Sequence, residues 1–227
     1  MEDGKIMNKL KVLYEDNHVI VVIKEANILS QADNTNDLDL LTITKNYIKE
    51  KYQKPGNVYL GLVHRLDRPV SGIMVFARTS KAASRLSEQV RTRQIEKTYI
   101  AVVDGIIEKD LDTFVDYLKK EDNGNTKVTN STEGKKSVLH YKVLKRNYEK
   151  KETLVEIKLE TGRHHQIRVQ FASRGLPLCG DQRYNKKDKT QIALCAYKLQ
   201  FIHPTTKKTM KFSMDMPNSL YWNDFKM

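Results

Sequence analysis

The chain has 227 residues, 39% of them hydrophobic, with 40 Lys and Arg against 28 Asp and Glu for a formal charge of +12. Those numbers supply a core for one catalytic domain, and the absence of any apolar run near the roughly 20 residues that span a bilayer argues against a helical membrane protein. The basic surplus suits nucleic acid or an anionic surface, although surplus lysines also serve as plain solvated surface, and two cysteines without repeated spacing argue against a disulfide framework or zinc site.

The polar opening Met1-Glu2-Asp3-Gly4 does not read as a signal peptide, so a cytoplasmic protein is expected. The β-branched run Val19 to Ile23 predicts the first confident strand, and the Asn- and Asp-rich stretch Ser30 to Asp39 predicts a loop. Leu40, Ile43, Tyr47 and Ile48 have helical spacing over Leu40 to Tyr52, ended by Pro55-Gly56. A short strand over Val58 to Val63 leads into His64-Arg65-Leu66-Asp67-Arg68, so Asp67 is expected in a loop at a strand end. Ile73 to Ala77 reads as a strand, and Ser80 as the cap of a helix reaching about Arg91.

Further strands are expected at Thr98 to Val103, Val138 to Leu144 and Leu154 to Leu159, with Glu121 to Lys136 a polar surface excursion. Thr161 or Gly162 opens a helix carrying Ile167 and Phe171, stopped by Gly175 and Pro177. Ile192 to Ile202 and Thr209 to Met214 close the series around His203-Pro204-Thr205-Thr206-Lys207-Lys208. Many strands without regular helix alternation predict an α+β fold, with a mixed, mainly antiparallel sheet and flanking helices. One domain over residues 1–227 is expected, its core about 15–216, with no separate amino-terminal RNA-binding module before the first core strand.

Asp67 stands among His64, Arg65 and Arg68, and a nearby guanidinium favours the ionised carboxylate that a nucleophile or base requires. An ordinary loop salt bridge explains the same spacing, and the arginines could equally hold phosphates. His64, His164 and His165 are interspersed with arginines rather than set as metal ligands, so no metal site is expected. A protein kinase reading of His64-Arg65 fails because Leu66 displaces the aspartate and no Gly-rich nucleotide loop accompanies it.

His64-Arg65-Leu66-Asp67 with Ser71-Gly72, Lys97-Thr98-Tyr99 with Asp104-Gly105, and Thr161-Gly162-Arg163-His164-His165-Gln166-Ile167-Arg168 together resemble the RluA-type family of RNA pseudouridine synthases. The resemblance implies that Asp67 is the catalytic aspartate, that Tyr99 stacks on the target uracil, and that Arg168 forms an ion pair with the aspartate. It makes His64, Arg65, Arg68, Arg163, His165, Gln166 and Leu194 candidate substrate-binding residues. Departures are Val70 where many relatives have Thr, His164 where a small polar residue is common, and Asn185 where Gly often follows the tyrosine. In the first block, Lys24-Glu25-Ala26-Asn27 replaces a lysine, proline, alanine and glycine run, which could alter loop shape and RNA selection.

The activity implied is isomerisation of specific uridines to pseudouridine in structured RNA, with ribosomal RNA favoured over transfer RNA and a monomeric enzyme expected. Competing readings are a noncatalytic RNA-binding ribosome-assembly factor on the same fold, and an RNA hydrolase using Asp67. One unpaired acid is a poor basis for metal-assisted phosphodiester cleavage.

Overall fold

The computed structural model describes residues 10–35, 37–185 and 188–225, so the reading of Met1-Glu2-Asp3-Gly4 lies outside the described residues. In chain order the first elements are β1 (Lys11–Glu15), β2 (Val19–Lys24), α1 (Leu40–Lys51), β3 (Gly61–Leu62), β4 (Ser71–Ala77) and α2 (Ser80–Arg91). There follow β5 (Glu96–Asp104), β6 (Leu111–Lys120), β7 (Thr126–Thr129), β8 (Lys135–Asn147) and β9 (Glu152–Leu159). The chain ends with α3 (Gln166–Ala172), β10 (Leu194–Ile202), β11 (Thr209–Ser213) and α4 (Leu220–Asn223). These elements form two compact units, one of residues 1–96 and 198–214 and the other of residues 97–197 and 215–227.

In the first unit β2 lies between β1 and β4, antiparallel to both. Val19, Ile20, Val21 and Val22 are all fully buried, which is why β2 reads as an unbroken β-branched run rather than an alternating one. Val19 and Val21 share a core with Ile73, Val75 and Ala77 of β4, Leu199 and Phe201 of β10, and Ala82 and Leu86 of α2. Ala82 and Leu86 are four residues apart and so lie on one helix face, and burying a leucine such as Leu86 contributes about 2 kcal/mol. The β10–β11 turn is pinned by His203, whose Nδ1 accepts the Thr205 and Thr206 amides while Nε2 lies 2.8 Å from Asp16 Oδ2.

In the second unit the strand order is β5-β9-β8-β6-β7, antiparallel throughout. Phe114 of β6, Tyr141 of β8 and Phe171 of α3 pack with ring centroids 5.1 to 5.7 Å apart. The Arg174 guanidinium lies 3.9 Å from the Phe114 ring centroid and bonds Asp116, so the aromatic cluster carries a paired cation on one side. The class is α+β. Among the described residues no helix is long and apolar enough to cross a membrane.

Several elements differ from the sequence expectation. The third helix begins at Gln166, not at Thr161 or Gly162, because His165 takes the left-handed conformation at φ 52 and interrupts any helix running through it. The second helix is capped by Thr79, which accepts the Ala82 amide, one residue before Ser80. The excursion from Glu121 to Lys136 contains β7 and the start of β8. Strands β1 and β6 were absent from the expectation. In β6 the buried Phe114 and Leu118 are four residues apart with Asp112 and Asp116 interspersed, so neither face shows clean alternation.

Candidate active site

Asp67 lies in the loop between β3 and β4, where its carbonyl accepts the Val70 amide to close a tight turn. The loop is held on both sides of the aspartate. Upstream, the buried Ser30 hydroxyl donates to the Leu66 carbonyl at 2.8 Å and accepts the Leu66 amide at 3.1 Å. Downstream, the Lys24 ammonium donates to the carbonyls of Val70 at 2.7 Å, Arg68 at 2.9 Å and Glu25 at 3.2 Å. Lys24 has no exposed surface; burial pushes its pKa down to about 7, while the Asp67 and Glu25 carboxylates pull it upward.

The Lys24-Glu25-Ala26-Asn27 segment thus serves the aspartate loop directly. Asn27 sits at φ 68, a left-handed conformation that glycine adopts freely and that asparagine tolerates best among residues with a side chain. Its amide donates to the Arg68 carbonyl at 2.9 Å, and Arg68 Nε donates back to the Asn27 carbonyl at 3.3 Å. Replacing glycine with asparagine therefore keeps the tight backbone available. Val70, the other departure, is buried and acts through its main chain, which meets both Asp67 and Lys24.

The remaining residues of this unit divide by environment. His64 is buried and its Nε2 accepts the Val75 amide at 3.1 Å, which fixes the ring beneath the loop and puts the hydrogen of a neutral imidazole on Nδ1. Arg65 and Arg68 are exposed, and Arg68 pairs with Asp37 at 2.8 Å.

In the second unit Tyr99 is 6% exposed on β5, opposite Ile157 of β9. Leu194 is buried at the start of β10. Arg168 on α3 makes a two-point ion pair with Asp181, Nε to Oδ2 at 2.8 Å and Nη2 to Oδ1 at 2.6 Å, with both groups buried. Asp181 also accepts the Arg183 and Tyr184 amides, which anchors the turn carrying Tyr184. Tyr184 in turn lies under Arg168, its ring centroid 5.4 Å from the guanidinium carbon, and its hydroxyl is 2.9 Å from His165 Nδ1.

His165 is buried beside Arg168, and burial followed by the surrounding cations pushes its pKa down to about 2, so the ring is neutral. The Gln166 amide is spent internally, accepting from Thr161 and Arg163 and donating to the Val138 carbonyl. Gln166 is thus placed as framework, whereas Arg163 is exposed with its Nε on the Lys136 carbonyl. Asn185 is buried with its side-chain amide on Asp104 at 3.0 Å, a bond glycine lacks the atoms to make. Among the described residues no group of three or more His, Cys, Asp or Glu is placed to hold a metal ion.

Three residues that make these contacts carry no assignment in the sequence reading. Lys24 falls in the departing Lys24-Glu25-Ala26-Asn27 run, while Asp181 and Tyr184 lie outside the motifs singled out above. The available signal was a lysine ending an otherwise wholly apolar strand, since a charge at such a place is expected to have buried partners.

The loop thus presents an aspartate whose backbone is held on both sides and which is flanked by arginines, on a mainly antiparallel α+β scaffold. The profile of the RNA pseudouridylate synthase family matches residues 18–173, and the chain belongs to that family: it is an RNA pseudouridine synthase, an isomerase. It is 35% identical over 217 residues to the uncharacterized RNA pseudouridine synthase YhcT of Bacillus subtilis, covering 92% of this chain and 71% of that protein. It is 32% identical over 231 residues to the ribosomal large subunit pseudouridine synthase D of Pseudomonas aeruginosa, covering 94% of this chain and 70% of that one. Among solved structures, human RNA pseudouridylate synthase domain containing 4 superposes with a TM-score of 0.79 over 96% of this chain and 93% of that one, at 20% identity, a likeness of fold.

Proposed function

We propose that the protein converts specific uridines of large-subunit ribosomal RNA to pseudouridine, with Asp67 as the catalytic residue. The reaction breaks the bond between C1′ and N1 of the uridine, turns the uracil within the site, and joins C1′ to C5, with the C5 hydrogen leaving as a proton and N1 taking up a proton. Asp67 starts it either by attacking C1′ or by removing the C2′ proton. The target nucleotide is flipped out of its stack so that the carboxylate reaches the sugar. Tyr99 stacks on the uracil and keeps the detached base captured while it turns.

The observation that carries the reading is the hold on the aspartate loop. Ser30 grips the residue before Asp67 and Lys24 grips residues after it, so the backbone that aims the carboxylate is fixed before substrate arrives. Arg168 is proposed as the residue that keeps the aspartate ionised, its own orientation set by Asp181. The ribosomal target is supported by the names of relatives at 31 to 32% identity that are ribosomal large subunit pseudouridine synthases C and D. Mapping pseudouridines in total RNA from cells with and without the gene tests the proposal. A large-subunit ribosomal site that disappears with the gene is expected; loss confined to transfer RNA would replace the target, and no loss anywhere would refute the reading.

A further inference from the structure

His164, the departure from the motif to which the catalytic reading assigns no chemistry, lies in the second unit at the centre of a positively charged surface. The left-handed turn at His165 brings the two imidazoles face to face, with centroids 3.7 Å apart and planes 27° from parallel. His165 is the inner ring, buried and held edge-on by Tyr184. His164 is the outer ring, exposed, with Nδ1 fixed 3.0 Å from the Thr126 hydroxyl. A flat ring held from below and from its edge has little rotamer freedom left to lose on contact with a ligand.

Cations surround this stack. Lys120 stands directly opposite Thr126 in the β6–β7 ladder, and Arg183 bonds Asn125 through Nη1 at 2.9 Å. Arg163 precedes His164 and bonds the Lys136 carbonyl. Lys120, Arg163, Arg183 and Lys136 are all exposed. Of the neighbouring carboxylates, Glu121 pairs with Lys127, Glu133 with Lys119 and Asp181 with Arg168, while the exposed Asp122 lies in the turn beyond Lys120. The two arginines rest on neutral oxygens, which orients their charge without cancelling it. Such a surface repels itself until a polyanion covers it.

We infer that the His164–His165 stack and its ring of Lys120, Arg163 and Arg183 form a single-stranded RNA contact surface, in which phosphates meet the cations and one unstacked base lies on His164. Imidazole is among the rings on which proteins stack splayed bases, and base stacking tolerates any sequence because every base has a flat face. The inference deepens the RNA-modifying reading by locating where RNA beyond the target nucleotide is held.

The test uses the full chain and a fluorescein-labelled oligouridylate, with anisotropy measured across a salt series. Lys120→Gln combined with Arg183→Gln is expected to weaken binding by about 10-fold or more, and to flatten the plot of log affinity against log salt by about 1.4, roughly 0.7 per lost contact to a single strand. His164→Ala is expected to lose about 5-fold or more, while His164→Phe binds as wild type does, because a stacked base is worth a factor of that size. Affinities and slopes equal to wild type in all three variants, with thermal unfolding unchanged, would overturn the inference. Pseudouridine formation by the wild-type protein on unmodified ribosomal RNA is scored separately, so failure of the catalytic reading is seen independently of the oligouridylate result.

Discussion

Arg168 and Asp181 face each other through two parallel bonds, Nε to Oδ2 at 2.8 Å and Nη2 to Oδ1 at 2.6 Å, in a site that excludes water from both side chains. A planar guanidinium gripped at two points cannot swing about its own axis, so Asp181 sets the plane in which Arg168 presents its remaining donor nitrogen. Removing one partner leaves the other charge buried. Asp181→Ala and Arg168→Met are each expected to cost about 3 to 5 kcal/mol in urea unfolding. Arg168→Met is also expected to slow single-turnover chemistry at RNA concentrations that saturate binding; a defect rescued entirely by more RNA would move Arg168 to a phosphate-binding role.

Lys24 offers a separate handle on the aspartate loop. Lys24→Met keeps the length of the stem but strips the donor from three carbonyls, and slower catalysis with near-normal oligouridylate binding is expected, together with about 1 to 3 kcal/mol of lost stability. The pH dependence has a definite sign. Below about 7 the lysine is charged both folded and unfolded, so the full burial cost is present; between there and the ordinary value of 10.5 the unfolded chain binds more protons than the folded one. Wild-type stability therefore gains from this group as pH rises, by up to about 1.4 kcal/mol per pH unit, and the variant lacks that gain. Parallel urea midpoints for the two proteins across that range would show that Lys24 does not titrate there.

Gly180 is needed for its missing side chain. It sits at φ 70, and a Cβ there would stand 2.1 Å from the Gln191 carbonyl oxygen and 2.5 Å from its carbon, so backbone rather than a movable side chain blocks it. Gly180→Ala is expected to cost about 2 to 4 kcal/mol. Gly162→Ala, with no atom within 4 Å of the added carbon, is the matched control expected to unfold close to wild type. Equal melting temperatures for the two variants would contradict the close approach.

The reach of the sequence differed between fold and site for physical reasons. Strands β2, β4, β5 and β9 are legible because both composition and length set them apart, and the loop position of Asp67 is legible because a compact polar motif follows a short apolar run. The Ser30, Lys24 and Asn27 contacts on that loop are not, since they join residues about 40 positions apart through backbone carbonyls that carry no side-chain signature. The left-handed turn at His165 was equally hidden: a histidine inside a seemingly helical run gives no local warning of φ 52, which is set by the packing of Tyr184 and His164 around it.

Tyr99 is buried on β5, and the role proposed for it rests on its ring rather than on its hydroxyl. Tyr99→Phe is expected to keep most single-turnover activity, while Tyr99→Leu loses about 5-fold to 100-fold, the range of one lost base stack. Equal defects in two folded variants would point to the hydroxyl instead.

The central claim is that the Asp67 carboxylate performs the chemistry and that the rest of its loop only aims it. Asp67→Asn keeps the volume of the side chain and removes the reactive anionic oxygen, while the Asp67 carbonyl still accepts the Val70 amide. Single-turnover formation of pseudouridine on unmodified large-subunit ribosomal RNA should be undetectable for the purified variant, with its oligouridylate affinity and unfolding temperature close to wild type. A variant that forms pseudouridine at the wild-type rate would contradict the account.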